Sequence, residues 1–253
     1  MNTIANNPWF AYVKPRPTAQ LRLFCLPFAG GSAAIFRNWA NALPAFVEVC
    51  PIQLPGRGGR LLESPFTSMQ SLVDALEPSI SANLDKPFAF FGHSMGATIS
   101  FELIHKLRSE RGLEPVHFFV SGRQAPQIPE LDPITFNLPR LEFIQELRRL
   151  EGTPPEILDN HELLELLLPV LRGDFELIQT YEYVARPRLK CPITALGGIA
   201  DKDVSREQVE AWREQSSGPF RMCLFPGNHF FLQTEEKSVL QTIVEQLRGL
   251  FSI

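Results

Sequence analysis

One stretch near the middle of the chain constrains the fold more than any other. Residues 88–91 are an apolar run that predicts a buried strand, and residues 97–107 have helical spacing. Between them lies Gly92-His93-Ser94-Met95-Gly96, which fits the pattern G-x-S-x-G. A strand, this turn and a helix together predict a nucleophile elbow, which holds a serine hydroxyl above the sheet. We expect glycine at both ends because a side chain there would collide with the neighbouring strand or helix.

The rest of the chain alternates strands with helices. Further apolar runs predict strands at residues 21–26, 47–52, 116–122, 193–198 and 220–225. Helical spacing predicts helices at about 33–43, 68–84, 205–215 and 235–250. Because the strands are apolar throughout, we expect a mostly parallel sheet with helices on both faces. The 253 residues suit a single α/β domain, residues 1–253.

Residues 124–186 break this alternation. A proline-rich segment is followed by predicted helices at 141–150, 157–159 and 161–171, with no strand among them. Several helices in a row favour an inserted helical lid, or cap, over ordinary crossover helices. At the other end, residues 1–19 predict an arm that packs its aromatic side chains (Trp9, Phe10, Tyr12) on the domain.

Composition narrows the function classes. A net charge of −4 without a basic tract argues against a nucleic-acid partner, and no apolar run reaches membrane-spanning length. The first residues lack the features of a signal peptide. The four widely spaced cysteines (Cys25, Cys50, Cys191, Cys223) predict buried free thiols in a reducing compartment. We therefore expect a cytoplasmic protein. The sequence contains neither a metal-ligand cluster nor a phosphate-binding glycine motif, so we expect no metal and no cofactor.

A serine needs a base to act as a nucleophile at neutral pH. Of five histidines, His229 follows the last predicted strand, at the sheet edge where catalytic loops gather, and it is the candidate base. The base needs a carboxylate to orient it. Asp201, just after the strand at 193–198, is the preferred acid. Asp203 is better explained as a negative charge that stabilises the start of the next helix.

Two backbone N–H groups should stabilise the oxyanion. The first is that of Met95, and the second comes from the loop after the first strand, where Ala29 is preferred over Phe28. The chain order Ser94, Asp201, His229 is that of the α/β-hydrolase fold.

At this point the chain resembles a known family, the type II thioesterases, which are free-standing α/β-hydrolases accompanying nonribosomal peptide and polyketide synthases. The motifs that carry the resemblance are L-P-F-A-G-G-S at 26–32, L-P-G-R-G-G-R at 54–60 with Glu63, G-H-S-M-G at 92–96, L-G-G at 196–198 with Asp201, and P-G-N-H-F-F at 226–231. The resemblance runs from about residue 21 to the C-terminus. It implies the same three catalytic residues and a mobile lid at 124–186.

The resemblance also implies a substrate and partners. The enzyme would remove stalled or wrong acyl groups from the phosphopantetheine arm of carrier proteins, with residues 163–171 lining an acyl pocket. Medium-chain acyl thioesterases of fatty-acid synthesis share these features, and an acyltransferase on the same scaffold is a further alternative. We expect a monomer. Cap arginines 140, 148 and 149 are candidates for carrier-protein contact, although a solvated helix face explains them better.

Overall fold

The computed structural model describes residues 4–251 and contains one central sheet. Within that part of the chain six strands run in the order β2-β1-β3-β4-β5-β6, and every neighbouring pair is parallel. The strands are β1 Leu21–Leu26, β2 Val47–Pro51, β3 Phe88–His93, β4 His117–Ser121, β5 Ile193–Gly198 and β6 Phe220–Phe225. The predicted α/β-hydrolase sheet is confirmed.

Helices cover both faces of the sheet. They are α1 Trp39–Ala42, α2 Met69–Ser81, α3 Met95–Arg111, α4 Arg140–Leu150, α5 Pro155–Leu158, α6 His161–Gln179, α7 Arg206–Glu210, α8 Phe231–Thr234 and α9 Glu236–Phe251. Side chains of α2 and α3 pack in one hydrophobic cluster, and side chains of α1 and α9 pack in another. Along β3, Phe88 and Phe90 enter the first cluster while Ala89 and Phe91 enter the second. Both faces of the strand are therefore buried, which explains its unbroken apolar sequence.

Two predicted helices are wrong in part. The segment predicted as one helix at 33–43 is a 3₁₀ turn, Ala33–Phe36, followed by the short α1. This break lets Phe36 and Trp39 both pack edge-on against Phe91, at ring distances of 5.9 and 4.8 Å. The helix predicted at 205–215 is α7 followed by a 3₁₀ turn, Ala211–Gln215. Its predicted start is confirmed, because Ser205 and Gln208 form a capping box.

The segment between β4 and β5 contains α4, α5 and α6 and no strand. These helices form a separate small core from Phe143, Leu147, Leu158, Leu164, Leu168 and Leu171. Helix α6 continues eight residues past the predicted end at 171. Gly173 and Asp174 both have low helix propensity but do not end it, because Gly173 packs against Pro65 and Asp174 pairs with Arg57.

The arm and the cysteines agree with expectation except at two positions. Trp9 and Phe10 are buried, whereas Tyr12 is 52% exposed, so the prediction for Tyr12 is wrong. Cys25, Cys50 and Cys191 are buried free thiols, while Cys223 is half-buried. Within residues 4–251, no helix combines the length and the hydropathy that crossing a membrane requires.

Candidate active site

The turn between β3 and α3 holds Ser94 in a backbone conformation that few residues adopt. Its φ is 53° and its ψ is −119°, and its N–H donates to the Ser121 carbonyl oxygen at 2.7 Å. The Ser94 hydroxyl does not cap α3. Positive φ at a non-glycine residue is strained and persists only where the surroundings enforce it. The surroundings here are the C-terminal ends of β3 and β4.

The two glycines that flank Ser94 are required by close backbone contacts. A Cβ on Gly92 would lie 2.3 Å from the Gly96 carbonyl oxygen, and one on Gly96 would lie 2.3 Å from that of Leu26. Neither neighbour is a flexible side chain that could move. The collisions predicted from the sequence are therefore present, with the start of α3 in one case and the end of β1 in the other.

The loops after β5 and β6 bring Asp201 and His229 together. His229 Nδ1 lies 2.8 Å from Asp201 Oδ2, and the side chains are 15% and 1% exposed. The other carboxylate oxygen of Asp201 accepts the backbone N–H groups of Asp203 and Val204, at 2.9 and 3.1 Å. Both oxygens of Asp201 are thus engaged, and this fixes the carboxylate that faces the imidazole.

Asp203, the competing candidate, has a different partner. Its Oδ1 accepts a hydrogen bond from Arg149 of α4 at 3.0 Å. The ligand atoms of Asp201, Asp203 and His229 lie within 4.8 Å of one another, a spacing that could hold a metal ion. However, His229 Nδ1 already faces Asp201, and Asp203 faces Arg149. These three side chains are therefore better described as hydrogen-bonding partners than as ligands of a metal ion.

His93 is buried behind the site. Its ring lies 5.4 Å from the His229 ring and 5.8 Å from that of Phe28, and its Nδ1 lies 2.8 Å from Ser121 Oγ. Burial and the neighbouring His229 lower the pKa of His93 well below its ordinary value. A neutral, fully buried imidazole of this kind supports the neighbouring loop and does not face the cavity, so it is a poor base.

Ser94 and His229 line one cavity of about 500 Å³, together with Phe28, Ala29 and Met95. No hydrogen bond joins Ser94 Oγ to His229 in this structure; such contacts are often loose without substrate. One wall of the cavity is apolar and comes from α4 and α6: Leu147, Leu150, Leu171, Phe175 and Ile178. Another part is polar and includes Arg123, Glu130, Lys202 and Asp203.

The prediction that residues 163–171 line the pocket is wrong except for Leu171. Leu163 and Leu166 are exposed, and Leu164 and Leu168 pack in the core of the cap. After Leu171, the lining residues of α6 are Phe175, Ile178 and Gln179, which lie past the predicted end of the helix. An amphipathic pattern that continued past Gly173 was the signal for them.

Two backbone donors line the cavity beside Ser94. The N–H groups of Met95 and Ala29 make no hydrogen bond to any group among residues 4–251. Met95 is buried and Ala29 is half-buried, and both line the cavity, so their unpaired N–H groups can bind a ligand oxygen. The N–H of Phe28, the other candidate, is also unpaired among residues 4–251, while its carbonyl oxygen accepts the Gly31 N–H at 2.8 Å and closes the loop, so Ala29 stays the preferred donor as a prediction.

The cap arginines are paired with acids of the same chain. Arg148 lies 2.7 Å from Asp159, Arg149 lies 2.8 Å from Glu146, and Arg140 contacts Glu165. These charges are partly neutralised within the cap, as expected for a solvated helix face.

Comparisons with known proteins agree on one family. Residues 21–247 match the family described as "Thioesterase domain". Gramicidin S biosynthesis protein GrsT of Aneurinibacillus migulanus is 46% identical over 96% of this chain and 94% of its own length. The medium-chain S-acyl fatty acid synthase thioesterase of Anas platyrhynchos is 36% identical over 86% of this chain and 87% of its own length. The solved structure of the type II thioesterase BorB, from the borrelidin biosynthetic cluster, has a TM-score of 0.88 and 38% identity, covering 96% of this chain and 98% of that chain.

Proposed function

This chain belongs to the thioesterase family, and we propose that it is a type II thioesterase with a Ser94-His229-Asp201 triad. Its substrates would be acyl thioesters on the phosphopantetheine arm of carrier proteins, and its role would be to remove aberrant acyl groups from a nonribosomal peptide or polyketide synthase. The relatives named for gramicidin S biosynthesis and for the borrelidin cluster support this role. The observation that carries the proposal is the 2.8 Å contact between His229 and a fully engaged Asp201, beside the cavity that Ser94 lines.

In the acylation step, His229 Nε2 takes the proton of Ser94 Oγ as the oxygen attacks the thioester carbonyl carbon. The carbonyl oxygen becomes an oxyanion, and the N–H groups of Met95 and Ala29 donate to it. When the tetrahedral intermediate collapses, the C–S bond breaks. His229 returns the proton to the departing thiolate, which leaves as the pantetheine thiol, and the acyl group remains as an ester on Ser94.

In the deacylation step, water takes the place of the thiol. His229 removes a proton from the water, which attacks the ester carbonyl and forms a second oxyanion at the same two donors. The collapse breaks the bond to Ser94 Oγ, which regains a proton from His229, and the free acid leaves. Asp201 accepts a hydrogen bond from Nδ1–H throughout and stabilises the imidazolium that forms in each step.

We also propose that helices α4 to α6 act as a lid over this cavity. Residues of α4 and α6 line the cavity that Ser94 reaches, and the helices share a small core of their own. Movement of α4, α5 and the first half of α6 would admit the arm of a partner and then exclude water, while the second half of α6 stays on the sheet domain through buried Leu177 and the pair of Asp174 with Arg57.

The fatty-acid alternative is the weaker one. The relative from fatty-acid synthesis is less similar to this chain than the relative from gramicidin S biosynthesis.

The test compares the wild type with Ser94→Ala on carrier proteins loaded with acetyl, aminoacyl and octanoyl phosphopantetheine. Ser109→Ala is the matched control, since Ser109 lies on α3 but is exposed. We expect free acid from the wild type and the control and none from Ser94→Ala. A fluorophosphonate probe should label the wild type and Ser109→Ala but not Ser94→Ala. Labelling of Ser94→Ala would contradict the triad, esters or amides as the product would indicate an acyltransferase, and a strong preference for octanoyl would favour the fatty-acid alternative.

A further inference from the structure

The loop that carries Ala29 is held from the cap by a buried carboxylate. Asp174 of α6 accepts the backbone N–H of Gly30 through Oδ2 at 2.7 Å. Asp174 is 144 residues away in sequence, and its side chain is 3% exposed. A carboxylate this deeply buried needs partners for both of its oxygens.

Arg57 provides those partners. Its Nη1 lies 2.6 Å from Asp174 Oδ2 and its Nη2 lies 2.7 Å from Oδ1, a two-pronged contact between side chains that are 4% and 3% exposed. Arg57 Nη1 also donates to the Gly31 carbonyl oxygen at 3.2 Å. The pair therefore holds the loop at two consecutive residues, through the N–H of Gly30 and the C=O of Gly31.

Close packing supports the same attachment. Gly30 and Gly56 both have positive φ, at +77° and +82°. A Cβ on Gly30 would lie 2.5 Å from Leu171 Cδ2, and one on Gly56 would lie 2.6 Å from Val170 Cγ2. One turn of α6, residues 170–174, is thus fitted onto two loops of the sheet domain. The loop of residues 28–31, which carries Ala29, therefore has little room to shift.

From this geometry we infer that Asp174 is a positioning residue for the oxyanion site, acting through Arg57 and the Gly30 N–H. The inference rests on the function proposed above. The bond from Gly31 N–H to the Phe28 carbonyl oxygen and the bond from Gly30 N–H to Asp174 together fix the peptide units on either side of Ala29, a residue that lines the cavity and whose own N–H is unpaired among residues 4–251. Because an oxyanion donor acts only when it is already oriented, loss of this support lowers stabilisation of the transition state more than binding of the substrate.

A second buried carboxylate provides a matched control. Glu48 accepts the backbone N–H of Arg16 at 2.8 Å and the Nε–H of Arg22 at 2.7 Å. Glu48 thus makes the same kinds of contact as Asp174, but it lies on β2, paired with the start of β1. The candidate active site lies past the other end of the strands.

The experiment compares Asp174→Asn with Glu48→Gln in the full chain. Asparagine keeps the shape of aspartate but replaces one accepting oxygen with an N–H₂ group, which then faces either Arg57 Nη2 or both Arg57 Nη1 and the Gly30 N–H. For hydrolysis of an acyl-carrier protein by Asp174→Asn we expect kcat to fall by about 10- to 100-fold and KM to change by less than about twofold. The affinity for a trifluoromethyl ketone analogue of the acyl pantetheine, which forms an oxyanion on Ser94, should fall by a similar factor. Glu48→Gln should lose stability to urea but keep kcat within about twofold.

Three outcomes would overturn the inference: an unchanged kcat in folded Asp174→Asn, a change in KM alone, or an equal loss of kcat in Glu48→Gln. If Asp174→Asn does not fold, Arg57→Lys is the second variant. It keeps the charge but loses the two-pronged contact, and we expect kcat to fall by about three- to tenfold. An unchanged kcat in that variant would also overturn the inference. Failure of the proposed function is distinct, since the wild type would then release no acid and the fluorophosphonate would not label Ser94.

Discussion

The edge of the sheet and the cap of residues 124–186 are held in place by different kinds of contact. At the edge, backbone atoms approach so closely that Gly92 and Gly96 leave no room for a side chain. In the cap, side chains such as Phe143 and Leu164 form a small separate core. One polar link from the cap to the sheet domain, the pair of Asp174 and Arg57, is buried on both sides.

This difference separates a rigid part from a movable part. The nucleophile and the Asp201-His229 pair lie on loops fixed by parallel strands, whereas much of the cavity wall lies on helices with a small core. Regions with few buried apolar contacts open at a lower free energy than the main core. An enzyme that admits the arm of a partner protein needs both, a fixed reaction centre and a wall that can move.

The largest effect is expected at the sheet edge, from Asp201→Asn. The substitution removes the carboxylate that orients His229, and kcat should fall by about 10⁴-fold. Asp203→Asn is the control in the same loop, since it breaks a link to Arg149 of the cap. We expect that control to change kcat by less than about fivefold. Steady-state hydrolysis of an acyl-carrier protein measures both, and the reverse ranking would reassign the acid to Asp203.

The second effect concerns stability at the elbow. Gly96→Ala places a methyl group 2.3 Å from the Leu26 carbonyl oxygen, and the strand and helix must move apart to accept it. We expect a loss of at least about 3 kcal/mol in the free energy of unfolding, measured by urea denaturation. Gly59→Ala is the matched control, because a Cβ there meets nothing within 4 Å. Equal losses in the two variants would show that the close contact is not what constrains the elbow.

The third effect tests whether the cap opens independently. Leu164→Ala leaves a hole in the small cap core, and the cap should be destabilised locally by about 2–3 kcal/mol. Limited proteolysis should then cleave within residues 124–186 while the urea midpoint of the sheet domain changes little. Leu76→Ala, in the larger core beneath α2 and α3, should lower that midpoint instead. A similar lowering of the midpoint by both variants would mean that cap and sheet unfold as one unit.

The smallest effect is a dependence on pH that belongs to the sheet domain. Burial lowers the pKa of His117 to about 4, whereas an unfolded histidine has a pKa near 6.5. The unfolded state therefore binds the proton first as the pH falls. The stability due to neutral His117 is complete above about pH 6.5 and is lost progressively as the pH falls toward 4.

At pH 5 this loss amounts to about 2 kcal/mol relative to neutral pH. Urea denaturation of the wild type and of His117→Asn at pH 7 and pH 5 measures it, and the variant should show a smaller dependence. An identical dependence in the two proteins would assign the effect to other groups.

Much of this arrangement could be predicted from the sequence because local patterns determine it. The apolar run of β3 and the glycines around Ser94 predict a strand and a sharp turn wherever the segment is placed. The boundary of α6 could not be predicted in the same way. Gly173 and Asp174 usually weaken a helix, and here Pro65 and Arg57 offset that tendency through contacts far away in sequence.

The sequence by itself determined the order of strands and helices, the elbow, and three candidate residues at the ends of strands. Backbone sterics and hydrophobic periodicity act over a few residues, so their consequences can be read locally. Only the tertiary structure decided that Asp201 rather than Asp203 faces His229, that the cavity wall lies late in α6, and that Asp174 reaches Gly30. Those contacts join residues 28 to 144 positions apart, and they depend on how whole elements pack.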